Sequence, residues 1–132
     1  LVIFRGDDGL DEITLATTTS VLTIGRDEIR SDRIDAKDFG MDNSPIEAIV
    51  GGDAQENARI SQAIFAGERG APRDAVLLNA AAAIAAFEGD AESEIKERLI
   101  RGLKRAEEAI DSGAAAALLT RWAALSQEIS AS

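Results

Sequence analysis

Leu1-Val2-Ile3-Phe4-Arg5-Gly6-Asp7-Asp8-Gly9-Leu10-Asp11-Glu12 opens the chain and decides how the rest is read. Four apolar residues in a row predict a strand buried on both faces of a mostly parallel sheet, because such strands lack the polar alternation of half-exposed ones. A strand of that kind rarely begins a domain, so the expectation is a piece that starts inside a larger protein. Behind it, Asp7, Asp8, Asp11 and Glu12 put four carboxylates within six residues at the strand's carboxyl end, where open α/β sheets keep their ligand sites. Clustered carboxylates repel one another, and a hard divalent cation relieves the repulsion. With few carboxylates and open coordination, the cation expected on physical grounds is Mg²⁺ shared with a substrate phosphate, rather than a caged Ca²⁺. A solvated acidic turn is the alternative, and it is the one spacing alone favours, since acidic turns are common and no EF-hand pattern with its terminal Glu is present.

Outward from this stretch the first third continues as β. Ile13-Thr14-Leu15, Val21-Leu22-Thr23-Ile24 and Glu28-Ile29-Arg30 alternate and are rich in β-branched residues. Gly25-Arg26-Asp27 supplies a hairpin connection, so residues 10 to 34 are expected as antiparallel strands beside the first. Turn and cap residues between Asp35 and Pro45 mark a connection. The remainder is helical. Asp53 caps a first helix, with Glu56 completing a capping box, Ile60 and Ile64 on one face and Gly67 at its end. Asp74 caps a second helix with Leu77, Ala80, Ile84 and Phe87 as its buried stripe. A third carries Ile95, Leu99, Leu103, Ala106 and Ile110 on one face, with Glu94–Arg98 and Glu97–Arg101 as exposed i,i+4 pairs. After Asp111-Ser112-Gly113, a fourth is defined by Leu118, Trp122, Leu125 and Ile129, and Trp122 reads as core. No internal repeat interrupts this order of strands first, then four helices.

Composition narrows the chemistry. The 132 residues make one domain or part of one. The absence of Cys, His and Tyr removes thiol nucleophiles, Ser-His-Asp triads, imidazole catalysis and Cys/His zinc sites. With 14 basic against 24 acidic residues, the net charge of −10 argues against nucleic acid and anionic membranes as partners. The longest mostly apolar run, Ala75 to Phe87, is interrupted by Asn79 and falls short of the ~20 residues of a membrane span. No disulfide framework points to an oxidising compartment, so a soluble, cytoplasmic chain is expected. Gly51-Gly52-Asp53 looks like a phosphate-binding glycine loop, but Asp53 would occupy the place of the anion, so a helix cap is the better reading. Arg69 and Arg73, flanking Gly70-Ala71-Pro72, offer an anion site, but arginines beside a loop are more often solvated or tied to nearby carbonyls, which is the preferred reading.

Four blocks carry a resemblance: Gly6-Asp7-Asp8-Gly9-Leu10-Asp11-Glu12-Ile13, Gly51-Gly52-Asp53-Ala54-Gln55-Glu56-Asn57-Ala58, Arg73-Asp74-Ala75-Val76-Leu77-Leu78-Asn79-Ala80-Ala81 and Ala109-Ile110-Asp111-Ser112-Gly113. Together they resemble the C-terminal part of the anthranilate phosphoribosyltransferase family, and Thr17-Thr18-Thr19-Ser20 resembles its actinobacterial versions. The resemblance implies that residues 1–132 are the C-terminal portion of a catalytic α/β domain with a nucleoside phosphorylase/phosphoribosyltransferase-like fold. It implies transfer of phosphoribose from phosphoribosyl pyrophosphate to the amine of anthranilate in tryptophan biosynthesis, with Mg²⁺ as cofactor. The family's adjacent Asp-Glu pair binds the metal, which places that role on Asp11 and Glu12 and not on Asp7 or Asp8. The family's glycine-rich pyrophosphate loop, its anthranilate contacts and the helical N-terminal domain through which it forms homodimers would precede Leu1, so the piece alone is expected to be inactive. Many members have His where this chain has Arg5, and nothing that depends on imidazole carries over. Two other readings stay open: a non-catalytic nucleic-acid-binding or regulatory relative of the same fold, and a related phosphoribosyl or nucleoside transferase with another acceptor.

Overall fold

The computed structural model describes residues 1–90 and 92–131. Three strands come first: β1 (Val2–Gly6), β2 (Thr19–Ile24) and β3 (Ile29–Ile34). They form an antiparallel sheet in that order, with Phe4 opposite Val21 and Thr19 opposite Ile34. Short 3-10 turns at Ala36–Phe39 and Ile46–Ile49 lead to four helices, α1 (Ala54–Phe65), α2 (Ala71–Glu88), α3 (Ile95–Asp111) and α4 (Ala114–Ser130). The expected α/β class, strands first and helices after, is the one observed.

The first strand departs from expectation. Rather than lying buried on both faces of a parallel sheet, β1 is an edge strand paired antiparallel to β2. Its inward residues Val2 and Phe4 are half-buried against the core, while Ile3 and Arg5 point out. The helices that share the core cover one face of the sheet; on the other, Ile3 stands opposite Leu22 and both remain exposed. Ile13-Thr14-Leu15 is buried as a strand would be, yet it is no strand. The Ile13 and Thr14 amides bond to the side chains of Asn79 and Thr19, at 3.0 and 3.1 Å, and the Leu15 carbonyl accepts from Ser44 and Asn43. With side chains and loop backbone satisfying it, the segment needs no ladder neighbour.

The helices begin and end for local reasons. Asp53 caps α1 by accepting from the Glu56 amide at 2.9 Å, but Glu56 grips Arg59 at 2.7 and 2.9 Å instead of turning back, so half of the capping box forms. Gly67, at φ +96°, closes the helix end. Asp74 does not cap α2: Gly70 does, because Pro72 has its φ already set for a first turn and no amide to lose. The buried stripe of α2 is Leu77, Leu78, Ala81, Ala82 and Ala85, and Phe87 is 91% exposed. Small residues face α3 there because the two backbones nearly touch. A β-carbon on Gly102 would lie 2.5 Å from the Ala81 carbonyl oxygen.

On α3 the expected face is the buried one, from Ile95 to Ile110. The expected exposed pairs are not formed. Arg98 is buried and donates to the Ala85 carbonyl at 2.9 Å, one of the last-turn carbonyls of α2 that lack a helical partner, and Arg101 reaches Asp90 at 2.6 Å. Arg98 sits at the edge of the α3 stripe, where a long side chain fills the seam between helices while its head serves a helix end. The fourth helix forms where expected, but none of its residues is buried, and Trp122 stands 68% exposed rather than in the core. Leu118, Trp122, Leu125 and Ile129 share its outer face, and each is more than half exposed. No helix among the described residues is long and apolar enough to cross a membrane.

The Gly102 contact makes a sharp prediction. Overpacking costs about 1–3 kcal/mol, whereas Gly to Ala in a helix interior gains up to about 1 kcal/mol. Because the opposing atom is backbone and cannot swing away, the clash wins: Gly102→Ala lowers stability by about 2 kcal/mol. A urea midpoint, followed by circular dichroism, that is unchanged or raised would show the helices free to separate.

Candidate metal-facing loop

The acidic stretch folds into a loop that sorts its carboxylates. At the end of β1 the Gly9 amide returns to the Gly6 carbonyl at 3.0 Å, and the Gly6 amide reaches the Leu10 carbonyl at 2.8 Å, so residues 6–10 close on themselves. Gly9, at φ +100°, occupies backbone space that side chains avoid. Asp8 braces the turn from within, accepting from the Leu10 amide at 3.1 Å and from the Thr14 hydroxyl at 2.6 Å. Asp7 faces the other way, accepting from the hydroxyls of Thr18 and Ser20 and pairing with Arg33 at 3.2 Å. Both carboxyls are held below their ordinary range, Asp7 first by the Thr18 hydroxyl and Asp8 first by that of Thr14.

Asp11 and Glu12 differ. They are exposed, and among the described residues no hydrogen bond or ion pair engages either carboxylate. The residues on both sides of them are fixed: Leu10 by Gly6 and Asp8, Ile13 by Asn79. The sequence thus offers four carboxylates and the fold uses two to build the loop and leaves two free. Among the described residues no three acidic side chains converge on a point that could hold a metal without help. Two adjacent hard oxygen donors do suit Mg²⁺, which keeps several waters and takes one or two carboxylates, completing its shell with substrate phosphate oxygens.

The other candidates have structural roles. In Gly51-Gly52-Asp53 the aspartate caps α1, and Asn57 folds onto the glycine pair, accepting from the Gly52 amide at 2.9 Å and donating to its carbonyl at 3.0 Å. Arg73 is 5% exposed and tied to Asp111 at 2.7 Å, whereas Arg69 is exposed, so the two do not form an anion clamp. A cleft of about 600 Å³ beside them is lined by Asp42, Asp74, Glu107 and Asp111 as well, and carboxylates outnumber its arginines. Burial pushes the Asp74 carboxyl up, the opposite of what a cationic pocket would do.

Sequence reasoning passed over Asn79 and Thr14 as individual side chains. The signal for Asn79 was available: an amide inside the alanine-rich run of α2 must find partners once half-buried. It bonds both the amide and the carbonyl of Ile13 and also the Ala75 carbonyl.

Residues 1–116 match the family model described as "Glycosyl transferase family, a/b domain". The chain belongs to this family. Similar curated proteins include the anthranilate phosphoribosyltransferases of Rhodococcus jostii (46% identity, 99% of this chain) and Thermobifida fusca (48% identity, 96% of this chain). The chain spans 36% of each, about a third of their length. Among solved structures, the anthranilate phosphoribosyltransferase of Thermus thermophilus superposes with a TM-score of 0.75 at 30% identity, covering 93% of this chain and 34% of that one. The Saccharomyces cerevisiae enzyme in complex with PRPP and Mg gives 0.71 at 25% identity, covering 85% and 31%. The actinobacterial character expected from the threonine-rich segment agrees with the relatives found.

The loop's carboxyls predict an acid sensitivity. Asp7 and Asp8 have folded values below the 3.8 of the free side chain, so as pH falls the unfolded chain takes up protons first and stability drops. Asp38, lowered first by its bond from Lys96, acts in the same direction. The contribution is whole above pH ~4 and is lost as pH falls through the folded values. In Thr14→Ala with Thr18→Ala this acid limb flattens. Urea midpoints measured from pH 7 to 3 that fall as steeply as in the parent would refute the assignment.

Proposed function

We propose that this chain is the C-terminal part of the catalytic α/β domain of an anthranilate phosphoribosyltransferase, with Asp11 and Glu12 as its metal-facing pair. The whole enzyme would transfer phosphoribose from phosphoribosyl pyrophosphate to anthranilate, a step of tryptophan biosynthesis in the cytoplasm. The observation that carries this reading is the division of the acidic loop, in which Asp7 and Asp8 are used internally while Asp11 and Glu12 stay exposed and unengaged. Similarity along 99% and 93% of this chain to about a third of enzymes of that name supports it. On this reading the glycine-rich pyrophosphate loop, the acceptor contacts and the dimerising helices belong to the rest of the longer protein.

The chemistry asks little covalent work of these residues. As the bond from ribose C1 to pyrophosphate lengthens, negative charge grows on the leaving group and the sugar becomes oxocarbenium-like. Mg²⁺, when bound, supplies electrostatic stabilisation of that leaving charge. Asp11 and Glu12 present hard oxygens for it, and a loop braced by Asp8 and Asn79 keeps them in place. Phosphates would be repelled by bare carboxylates, so the pair serves the substrate through the cation alone. A chain without His or Cys suits a reaction driven by positioning and charge neutralisation.

Replacing Asp11→Asn and Glu12→Gln together in the full-length protein lowers kcat/KM by roughly a hundredfold or more, in line with the loss of a preorganised electrostatic group. The loss of anthranilate fluorescence on adding phosphoribosyl pyrophosphate and Mg²⁺ reads the rate. Undiminished turnover by that variant would sink the metal assignment. Given the same reagents, residues 1–132 alone leave the fluorescence unchanged, and a decay there would overturn the reading of the chain as part of a site.

A further inference from the structure

We propose that Asn79 is a positioning residue for the Asp11–Glu12 pair. The inference rests on the metal-facing reading above and deepens it. Asn79 lies two turns into α2, and its amide is used completely. Its Oδ1 accepts from the Ile13 amide at 3.0 Å, and its Nδ2 donates to the Ile13 carbonyl at 3.1 Å and to the Ala75 carbonyl at 3.0 Å. One side chain thereby imitates the paired N–H and C=O of a neighbouring strand, at the residue that follows Glu12. The Ile13 side chain is 2% exposed and fixes the same residue from the core side.

The geometry amounts to two clamps around two free carboxylates. Before the pair, Leu10 is bonded through its carbonyl to Gly6 and through its amide to Asp8. After it, Ile13 is bonded through both backbone groups to Asn79. Only Asp11 and Glu12 intervene, so their backbone path is set by a short span with both ends held. Two like charges would otherwise spread apart, and a cation would have to gather them. Because α2 is packed against α3 at Gly102, the clamp refers the loop to the core rather than to another loop. Groups that orient metal ligands from behind typically contribute 10–100-fold in affinity.

The amide is chemically particular. Aspartate at residue 79 would still accept from the Ile13 amide but would set lone pairs against the Ile13 and Ala75 carbonyls. Serine is too short to span both Ile13 groups. Neither change touches the carboxylates themselves.

The test uses the full-length protein, with Mn²⁺ as the probe, titrated in the presence of phosphoribosyl pyrophosphate and followed by electron paramagnetic resonance of the free ion. Asn79→Asp and Asn79→Ser weaken Mn²⁺ binding about tenfold or more. They raise by a similar factor the Mg²⁺ concentration giving half-maximal turnover. Ile110→Ala serves as the comparison, since it destabilises the core at the last turn of α3, away from Asn79 and from the Gly102 crossing. If Asn79→Ser and Ile110→Ala, compared at temperatures equally far below their own Tm, weaken Mn²⁺ equally, Asn79 is a stability residue and the proposal fails. If Asn79→Ser binds Mn²⁺ like the parent while Asp11→Asn with Glu12→Gln does not, the proposal fails and the metal-facing reading stands. Parent-like Mn²⁺ binding by the Asp11→Asn, Glu12→Gln protein removes both. Asn79→Ser provides the measurement should Asn79→Asp fail to fold.

Discussion

Where α2 and α3 cross, the Ala81 carbonyl occupies the space a β-carbon on residue 102 would need, and most of the molecule is arranged around that backbone contact. It forces small residues onto the facing side of α2, which is why Ala81, Ala82 and Ala85 are buried while Phe87 is turned out. It brings the last turn of α2 within reach of Arg98 and the first turn within reach of Asp111, so that an arginine ties the helices near each end. A pair of helices held this closely behaves as one rigid layer, since packed interiors do not deform continuously. The sheet and the loop after β1 are then positioned by reference to it, the loop through Asn79.

The loop shows how like charges are tolerated at close quarters. Asp7 and Asp8 are adjacent, yet each has hydroxyl donors of its own, Thr18 and Ser20 for one and Thr14 for the other. Hydrogen bonds to the ionised form offset the repulsion, which is why both carboxyls titrate below their ordinary range. The threonine-rich stretch after Leu15 is therefore the counterpart of the acidic turn rather than a spacer. Asp11 and Glu12 have no such donors among the described residues and stay exposed.

Legibility in the sequence followed how local the cause was. The α3 face from Ile95 to Ile110 was readable because a wide apolar stripe at helical period is set by the helix itself. The cap at Asp53 and the stop at Gly67 were readable for the same reason. In α2 nearly every residue of the face is apolar or alanine, so periodicity could not say which side meets α3, and a single glycine on the following helix decided it. Ile13-Thr14-Leu15 looked like a strand because burial and β-branching were right; what replaced the ladder was a side-chain amide 66 residues away. The apolar stripe of α4 was placed correctly on one face, but a stripe says only that a face can be buried, not that this chain buries it. For the site, spacing reached a cluster of four carboxylates and stopped. The choice of Asp11 and Glu12 came from family resemblance, and the hydrogen bonds around Asp7 and Asp8 supply an independent physical reason for it.

Electrostatics gives the proposed reading its internal consistency. A chain of net charge −10 is a poor surface for a polyphosphate substrate, and an exposed carboxylate pair is the worst part of it. Placed beside a phosphate without a cation, Asp11 and Glu12 would slow binding. On that reading a divalent cation held by the pair would offset the charge of both and would supply electrostatic stabilisation as the leaving group departs. The free pair is therefore useful only if it holds its shape before the cation arrives, because reorganising two charges in the encounter would weaken the interaction that lowers the barrier. On the proposed reading, the contacts that sink Ile13 into the core and satisfy its backbone through Asn79 would also hold the path of the pair beside it.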